Sequence, residues 1–234
     1  LDGYSSSEAE FTILSTHLKA GTSSTDQQKR LDMTTDIRNY LNDYPAGSNF
    51  MVAGDFNIRS SSETSYQMLI GWQSDNDGRS KDPINTGGTW HDNYSLRETH
   101  TQSTQSAWGG MDDRYDFVLT SYALDDGEGL SYVADSYVPF GNDGLRLNNP
   151  INDPPNTAVS DTVADALHDA SDHLPVFLDL QVPARIDACT SLDFGTVMAD
   201  VNSVERTITV TNVAGSPADD LEYWFDTPPP YVGP

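Results

Sequence analysis

Cysteine is almost absent from this sequence, which has one such residue, Cys189, among 234. A single cysteine excludes an intrachain disulfide, although it does not exclude secretion. Long apolar runs are also missing, and no stretch reaches the length of about 18 residues that a transmembrane helix needs, so we expect no membrane span. No signal peptide is visible. Because the sequence opens at Leu1 rather than at methionine, we expect that a preceding segment could have held one.

Positive charge is scarce as well. The chain has 12 lysine and arginine residues against 36 aspartate and glutamate residues, which gives a net charge of −24 and a pI near 4.1. So acidic a surface repels a phosphate backbone unless basic residues are concentrated locally or cations intervene. Salt limits the range of that repulsion to roughly 8–10 Å. We interpret the acidity mainly as adaptation to a salty medium, with cation collection as the alternative.

Apolar side chains are nevertheless sufficient for a folded core. Hydrophobic residues make up 36% of the chain and aromatic residues 10%, which excludes a disordered composition. A helix is predicted from a capping box at Thr25 and Gln28 to the breaker Pro45. The other predicted elements are strands at 11–18, 49–57, 114–121 and within 171–182, and short helices near 66–70 and 163–167.

Two long polar stretches, 73–110 and 139–160, are predicted to be loops, and the first is expected to wrap around a site. The first contains four residues with open interpretations: Trp90, His91, His100 and Trp108. The two tryptophans could line a substrate cleft or cover the core. The two histidines could bind a metal, but no neighbouring ligands stand at metal spacing. The acidic run 125–128 is typical of a solvated turn and lacks the full ligand set of a calcium loop.

The composition changes near Pro183, which divides the chain into two predicted domains. Residues 1–182 form the first, and residues 183–234 resemble part of an immunoglobulin-like β-sandwich with strands at 191–197 and 206–212. Such a sandwich normally takes about 100 residues, so the second module is expected to be incomplete.

Polar residues follow several of the predicted strands, where side chains of layered α/β proteins converge on ligands. Hydrolysis of a phosphodiester needs a group that activates water, donors for the phosphoryl oxygens, a cation against the substrate charge and help for the leaving oxygen. Carboxylates, an amide and imidazoles can supply these functions. The candidates are His17, Asp55, Asn57, Asp116, Asp172 and His173.

Four short motifs stand in a characteristic order. They are "THL" at 16–18, "GDFN" at 54–57, "RYDFVLTS" at 114–121 and "SDH" at 171–173. Together they resemble the endonuclease/exonuclease/phosphatase superfamily, the DNase-I-like phosphoesterases, over roughly residues 8–182. The segments "HLKAG" and "GDFNIRSSSE" are similar to a bacterial exported subgroup of it. Each motif alone could occur by chance, so the resemblance depends on all four motifs standing in the family's order.

The resemblance implies a role for each matching residue. His17 would contact the scissile phosphate or assist the leaving group. Asp55 would orient and deprotonate the attacking water. Asn57 would position Asp55 and donate to a phosphoryl oxygen.

The resemblance also implies a metal site and a second histidine. Asp172 would belong to the shell of Mg²⁺, or of Mn²⁺ or Ca²⁺, and His173 would lie against the phosphate, oriented by Asp116. The family's N-terminal half carries an asparagine and a metal-binding glutamate, and neither can be placed before His17; Glu8 and Glu10 match no such motif. We therefore expect the chain to be the C-terminal part of a longer protein, or to need another chain to complete the metal site.

Plainer interpretations remain for the same residues. His17 could be a strand-end histidine without a role, Asp55 and Asn57 turn residues, and Asp116 an exposed strand residue. Asp172 and His173 could likewise belong to a surface turn. Arg114 could bind a phosphate, although a surface salt bridge with Asp112 or Asp113 is the more ordinary expectation.

The sequence thus predicts a layered α/β fold, a four-layer sandwich of two mostly antiparallel sheets flanked by helices, followed by a β-sandwich fragment. The expected function is a secreted or cell-surface, metal-dependent phosphodiesterase of bacterial type, with nucleic acid as the favoured substrate. The alternatives are a phospholipid or sugar-phosphate phosphatase of the same superfamily, and a non-catalytic surface, matrix or filament protein that retains the scaffold.

Overall fold

The computed structural model describes residues 1, 3–4, 9–189, 191, 193 and 207–222. Within these residues the protein is a mixed α/β structure with one four-stranded sheet and three two-stranded pairs. Short 3-10 helices lie at Tyr94–Thr99, Ser106–Trp108 and Ala123–Asp125. The other elements are β1 (Thr12–His17), α1 (Ser24–Asn42), β2 (Phe50–Asp55), α2 (Thr64–Ile70), β3 (Ser80–Lys81), β4 (Asp116–Ser121), β5 (Ser131–Tyr132), β6 (Val138–Pro139), α3 (Asp161–Ala170), β7 (Val176–Phe177), β8 (Leu180–Gln181), β9 (Ile186–Ala188) and β10 (Val210–Asn212).

The four-stranded sheet has the order β1-β2-β4-β3. Strand β1 runs parallel to β2, and α1 provides the long crossover that a parallel pair requires. Strand β4 runs antiparallel to both β2 and β3. In this register His17 lies opposite Asp55, and Asp55 lies opposite Asp116. Three neighbouring strands therefore place one polar residue each in a single row across the sheet.

Different layers bury the two faces of this sheet, because alternate side chains of a strand point to opposite faces. One face packs against α1 and α2 in an apolar cluster that includes Leu14, Leu41, Phe50, Val52, Leu69, Phe117 and Leu119. The other face packs Met51 and Val118 against Leu124, Leu130, Leu178 and Leu180. By the same alternation, the polar row at the strand ends belongs to this second face.

Helix α1 begins differently from the sequence prediction. Its capping box joins Ser23 to Asp26, so the box predicted at Thr25 and Gln28 is wrong by two residues. Both residue pairs satisfy the general pattern, and the choice depends on which serine or threonine adopts the extended N-cap conformation.

Two buried arginines of α1 form hydrogen bonds with both ends of α2 and hold the two helices together. Arg30 donates to the Glu63 carboxylate at 2.6 and 3.0 Å, and Arg38 donates to the carbonyl of Leu69 at the end of α2 at 3.1 Å. Their guanidinium groups are tolerated inside because these partners replace the lost water. The interior face of α1 is therefore partly polar, which lowers its apolar periodicity.

An ion pair also lies inside the main cluster. Arg114 is fully buried and donates to both carboxylate oxygens of Asp82, at 2.7 and 2.9 Å, while Tyr66 donates to Asp82 at 2.8 Å. The guanidinium lies 5.0 Å from the ring centre of Trp90 and 4.9 Å from that of Phe117. Both sequence interpretations of Arg114, a phosphate ligand and a surface salt bridge, are therefore wrong.

Most predicted elements of the first 182 residues are present, with one exception. The segment predicted as a single strand within 171–182 forms two short strands, β7 and β8, which pair with β6 and β5 respectively. The loop 73–110 contains β3 and two 3-10 helices. It buries Trp90 completely and leaves the side chain of Trp108 exposed.

After Pro183, β9 and β10 form an antiparallel pair, and a bridge joins Val182 to Ala218. The carbonyl oxygen of Pro183 accepts a hydrogen bond from Tyr4 at 2.7 Å. Most of the strand predicted at 191–197 lies outside the described residues. The four-layer arrangement and the immunoglobulin-like module remain predictions. No helix in the described part of the chain combines the length and the apolar character that a membrane crossing requires.

Candidate active site

The polar row of the sheet forms the centre of the candidate site. The Nε2 atom of His17 lies 3.3 Å from the Oδ2 atom of Asp55, and 75% of the His17 side chain is exposed. Gly54 precedes Asp55 with a φ of 140°, and a Cβ atom there would lie 1.9 Å from the carbonyl oxygen of Thr16. Only glycine allows this close approach of β2 to β1, which brings the histidine and the carboxylate side by side.

Asn57 holds Asp55 through its backbone. Its N–H donates to the Oδ1 atom of Asp55 at 2.8 Å, and its φ of 51° turns the chain sharply after β2. The side-chain amide of Asn57 donates to the carbonyl oxygen of Leu18 at 3.2 Å, which ties the turn to the end of β1. The structure thus shows contacts by which Asn57 positions Asp55. Direct donation from Asn57 to a phosphoryl oxygen stays a prediction.

Asp116 at the start of β4 orients the second histidine of the site, His173. The Nδ1 atom of His173 lies 2.7 Å from the Oδ2 atom of Asp116, which also accepts a hydrogen bond from Thr101 at 2.8 Å. The Thr101 hydroxyl in turn accepts from the backbone N–H groups of Tyr115 and Asp116 at 3.2 and 3.0 Å. A carboxylate fixed in this way fixes the imidazole plane and leaves Nε2 of His173 facing away from the strand.

Asp172 and Gln102 flank that nitrogen. The Oδ2 atom of Asp172 lies 3.9 Å from Nε2 of His173, and 43% of the Asp172 side chain is exposed. The amide nitrogen of Gln102 lies 2.8 Å from the same Nε2 atom and 3.4 Å from Oδ2 of Asp172. All six residues singled out from the sequence therefore lie at or beside one end of the sheet.

The surroundings raise the pKa values of both Asp55 and His173. Burial raises the pKa of Asp55, and the negative charge of Asp116 raises it further, against the hydrogen bond from Asn57. Burial opposes the charged form of His173, but its hydrogen bond to Asp116 and the nearby carboxylates raise its pKa overall. A carboxylate that binds protons more readily beside a histidine that favours its cation is typical of acid–base sites.

The residues of this site fit a divalent ion only as an open site. Asp172 has an exposed carboxylate with one long hydrogen bond, so it could serve as a ligand. Among the described residues, no three ligand atoms of this cluster lie as close together as in a protein cage. Magnesium is commonly held by one or two carboxylates, with water and substrate phosphate oxygens completing its shell. The donor set is compatible with that arrangement.

Thr101 and Gln102 are the site residues that sequence reasoning missed. Both lie in a polar loop. Gln102 forms bridges to Asp113 and His173, and the backbone of Thr101 is hydrogen-bonded to Asp113 and Leu174. The run "HTQST" offers no pattern that separates these residues from the polar residues around them. Their discovery requires knowledge of which loop crosses the strand ends.

The histidines of the long loop have different environments. His100 is buried and contacts the carbonyl oxygens of Trp90 and Met111 at 2.7 and 3.2 Å, which indicates a structural role. His91 lies 3.0 Å from a carboxylate oxygen of Asp113 and 3.7 Å from one of Asp112. The expectation that His91 lacks neighbouring ligands is therefore wrong. Arg59 also approaches Asp113, at 3.4 Å, and offsets part of the negative charge there.

Asp112 provides a stability prediction. Burial, followed by repulsion from Asp113, raises its pKa from 3.8 to about 6. Between these pH values the folded protein holds a proton that the unfolded chain has lost, so this group lowers stability as the pH rises. We expect Asp112→Asn to raise the free energy of unfolding by about 1–2 kcal/mol at pH 7.5 and to change it little below pH 4.

Urea unfolding in EDTA at both pH values measures this difference, with exposed Asp36→Asn as the matched control. Destabilisation by Asp112→Asn at pH 7.5 would show that the carboxylate makes a favourable contact which the charge argument leaves out.

The chain was compared with protein families, curated sequences and solved structures, and it resembles some of the solved structures. Neither the protein-family models nor the curated protein sequences match the chain. Among solved structures, it is similar to a mutant of the beta toxin from Staphylococcus aureus with bound magnesium ions, with a TM-score of 0.35 and 14% identity over 70% of this chain and 51% of that one. A β-hairpin deletion mutant of the same toxin gives a TM-score of 0.34 and 16% identity over 47% and 39% of the two chains.

The structure of SmcL gives a TM-score of 0.32 and 17% identity over 54% of this chain and 41% of that one. The chain thus spans about half or less of the length of the solved structures it matches. Overlap of this extent assigns no residue role, so the functional assignment depends on the geometry of the site.

Proposed function

We propose that the protein is a divalent-metal-dependent phosphoesterase that hydrolyses phosphodiester bonds, with nucleic acid as its substrate class. The observation that carries this proposal is the pairing of two histidines with the two carboxylates of the polar row: His17 with Asp55, and His173 with Asp116. Two imidazoles beside carboxylates can donate to phosphoryl and leaving oxygens while one carboxylate remains to activate water.

Each residue has a chemical task in this proposal. Asp55 accepts a proton from the attacking water, with Oδ1 held by the backbone N–H of Asn57 and Oδ2 beside Nε2 of His17. His173, fixed by Asp116, donates from Nε2 to a phosphoryl oxygen. His17 is exposed beside Asp55 and donates to the leaving oxygen. Asp172 would hold the divalent ion, which supplies charge neutralisation to the bound phosphate.

The acidity of the chain supports an extracellular location for such an enzyme. With a net charge of −24, attraction of a polyanion depends on cations and on screening, both of which a salty extracellular medium provides. We therefore propose a secreted or cell-surface enzyme. Residues 1–182 would form the C-terminal part of the catalytic domain. Residues 183–234 would form a separate β-rich module.

Metal removal tests the proposal directly. We expect the full-length protein to nick plasmid DNA and to hydrolyse bis(p-nitrophenyl) phosphate with Mg²⁺, because the carboxylates of the described site need a cation beside them before an anionic substrate can bind. EDTA should abolish both activities, and added Mg²⁺ should restore them. Gel electrophoresis and p-nitrophenolate release provide the two measurements.

The rival functions give different results in the same assays. Hydrolysis of p-nitrophenyl phosphate or of a phospholipid without DNA cleavage would point to a phosphatase or lipid phosphodiesterase. No hydrolysis of any of these substrates, together with assembly into fibres, would contradict the enzymatic proposal and favour a structural protein.

A further inference from the structure

The phosphate-facing nitrogen of His173 already has a partner. Nε2 of His173 lies 2.8 Å from the amide nitrogen of Gln102, while Nδ1 lies 2.7 Å from Asp116. Both ring nitrogens are therefore engaged within the protein. Nothing in the proposed reaction uses Gln102, and the contact stands where a phosphoryl oxygen would have to bind.

The orientation of the Gln102 amide follows from its surroundings. Its nitrogen faces both Nε2 of His173 and, at 3.4 Å, a carboxylate oxygen of Asp172. Reversing the amide would turn its carbonyl oxygen toward that carboxylate, which is an unfavourable arrangement of two acceptors. In the neutral ring, Nδ1–H of His173 donates to Asp116 and Nε2 accepts from the amide nitrogen of Gln102. In the cation, which the raised pKa of His173 favours, Nε2–H faces the same amide group and would pair with its carbonyl oxygen.

A phosphoryl oxygen and the Gln102 amide exclude each other at this nitrogen. Each ring nitrogen of an imidazole makes one hydrogen bond in the plane of the ring. The Gln102 amide group occupies that one position at 2.8 Å, and a phosphoryl oxygen needs the same position to accept from Nε2–H. Phosphate can therefore reach His173 only after the Gln102 side chain has turned away.

Only the side chain of Gln102 is free to make that turn. Its backbone N–H donates to the carbonyl oxygen of Asp113 at 3.0 Å, and its own carbonyl oxygen accepts from the N–H groups of Asp112 and Asp113 at 2.8 and 2.9 Å. The backbone is thus fixed beside the site. A glutamine side chain has several rotatable bonds and changes rotamer rapidly when partly exposed.

We propose that Gln102 is an internal competitor for phosphate: its amide caps Nε2 of His173 in the free site and is displaced when a phosphoryl group binds. This inference rests on the proposed function and adds a residue that sets the affinity of the site for phosphate. Gln102 is a positioning residue in this scheme, because it acts through His173.

Two substitutions of Gln102 are expected to act in opposite directions. Gln102→Ala removes the competitor, and since a hydrogen bond of this kind contributes about 1 kcal/mol, inorganic phosphate should bind about fivefold more tightly. Gln102→Glu replaces the amide by a carboxylate that binds His173 more strongly and repels phosphate, so its Kd for phosphate should rise at least about tenfold. A purely structural role would weaken binding in both variants.

Nuclear magnetic resonance of protein labelled with ¹⁵N-histidine measures these affinities at one fixed pH. The chain has 5 histidines, and the signal of His173 is assigned by its loss in His173→Gln. Inorganic phosphate is titrated with Mg²⁺ present while the Nε2 signal of His173 is followed. Gln105→Ala is the matched control, since Gln105 donates to the carbonyl oxygen of His168 and does not contact His173.

The outcomes separate this inference from the proposed function. Tighter phosphate binding in Gln102→Ala and weaker binding in Gln102→Glu support both. Weaker binding in Gln102→Ala overturns the inference alone, because Gln102 would then be a direct phosphate donor in a working site. A His173 signal that phosphate leaves unmoved in every variant overturns the inference and the phosphate site together.

Discussion

Replacing Asp55 by asparagine is expected to lower kcat for bis(p-nitrophenyl) phosphate by a factor of about 10²–10⁴, the usual contribution of a general base. Asparagine has nearly the same shape and keeps an oxygen that can accept the N–H of Asn57, now 2.8 Å from Asp55. It cannot accept a proton from water. The loss should therefore appear in kcat, with a smaller change in KM.

The same substitution should not weaken the fold. The raised pKa of Asp55 shows that burial and the charge of Asp116 disfavour its ionised form, so removing the charge relieves a cost at neutral pH. We expect a melting temperature equal to or above that of the wild type. Exposed Asp36→Asn serves as the control for an aspartate-to-asparagine change. Activity within threefold of the wild type would remove Asp55 from the mechanism.

Arg114→Met is expected to destabilise the protein by about 3–5 kcal/mol, because it leaves the buried Asp82 carboxylate without its bidentate partner. The guanidinium donates twice to that carboxylate and stacks among aromatic rings, so the deletion leaves Tyr66 as its remaining side-chain donor. Urea unfolding followed by tryptophan fluorescence measures the loss.

Two further variants separate the missing charge partner from lost packing. The double variant Arg114→Met with Asp82→Leu should recover much of the stability, since a buried ion pair can be replaced by apolar groups. Arg185→Met, at an exposed arginine, should change the free energy of unfolding by no more than about 0.5 kcal/mol. A double variant as unstable as Arg114→Met alone would place the energy in packing rather than in charge.

Sequence patterns predicted the parts of this fold that depend on neighbouring residues. Apolar patterns indicated β1, β2, β4 and the three helices, although the capping box of α1 was placed two residues late, and strand ends indicated where the polar residues gather. Those signals are local, so one sequence suffices to detect them. The break of the last predicted strand into β7 and β8 is not local, because the two halves pair with different partners.

The features that the sequence could not predict are contacts between residues far apart in the chain. Arg114 and Asp82 are 32 residues apart, and no spacing rule joins them. Gln102 is 71 residues from His173 and reaches it only because its loop pairs with both Asp113 and His173.

Because His17, Asp55 and Asp116 are aligned across three strands, the proposed hydrolysis would report on strand alignment. A slip of β1 by one position against β2 would set Thr16 or Leu18 opposite Asp55 and turn the imidazole to the helix side of the sheet. Such a misfolded form would keep its secondary structure and much of its buried apolar area. Circular dichroism would scarcely distinguish it from the native protein, whereas the turnover rate would.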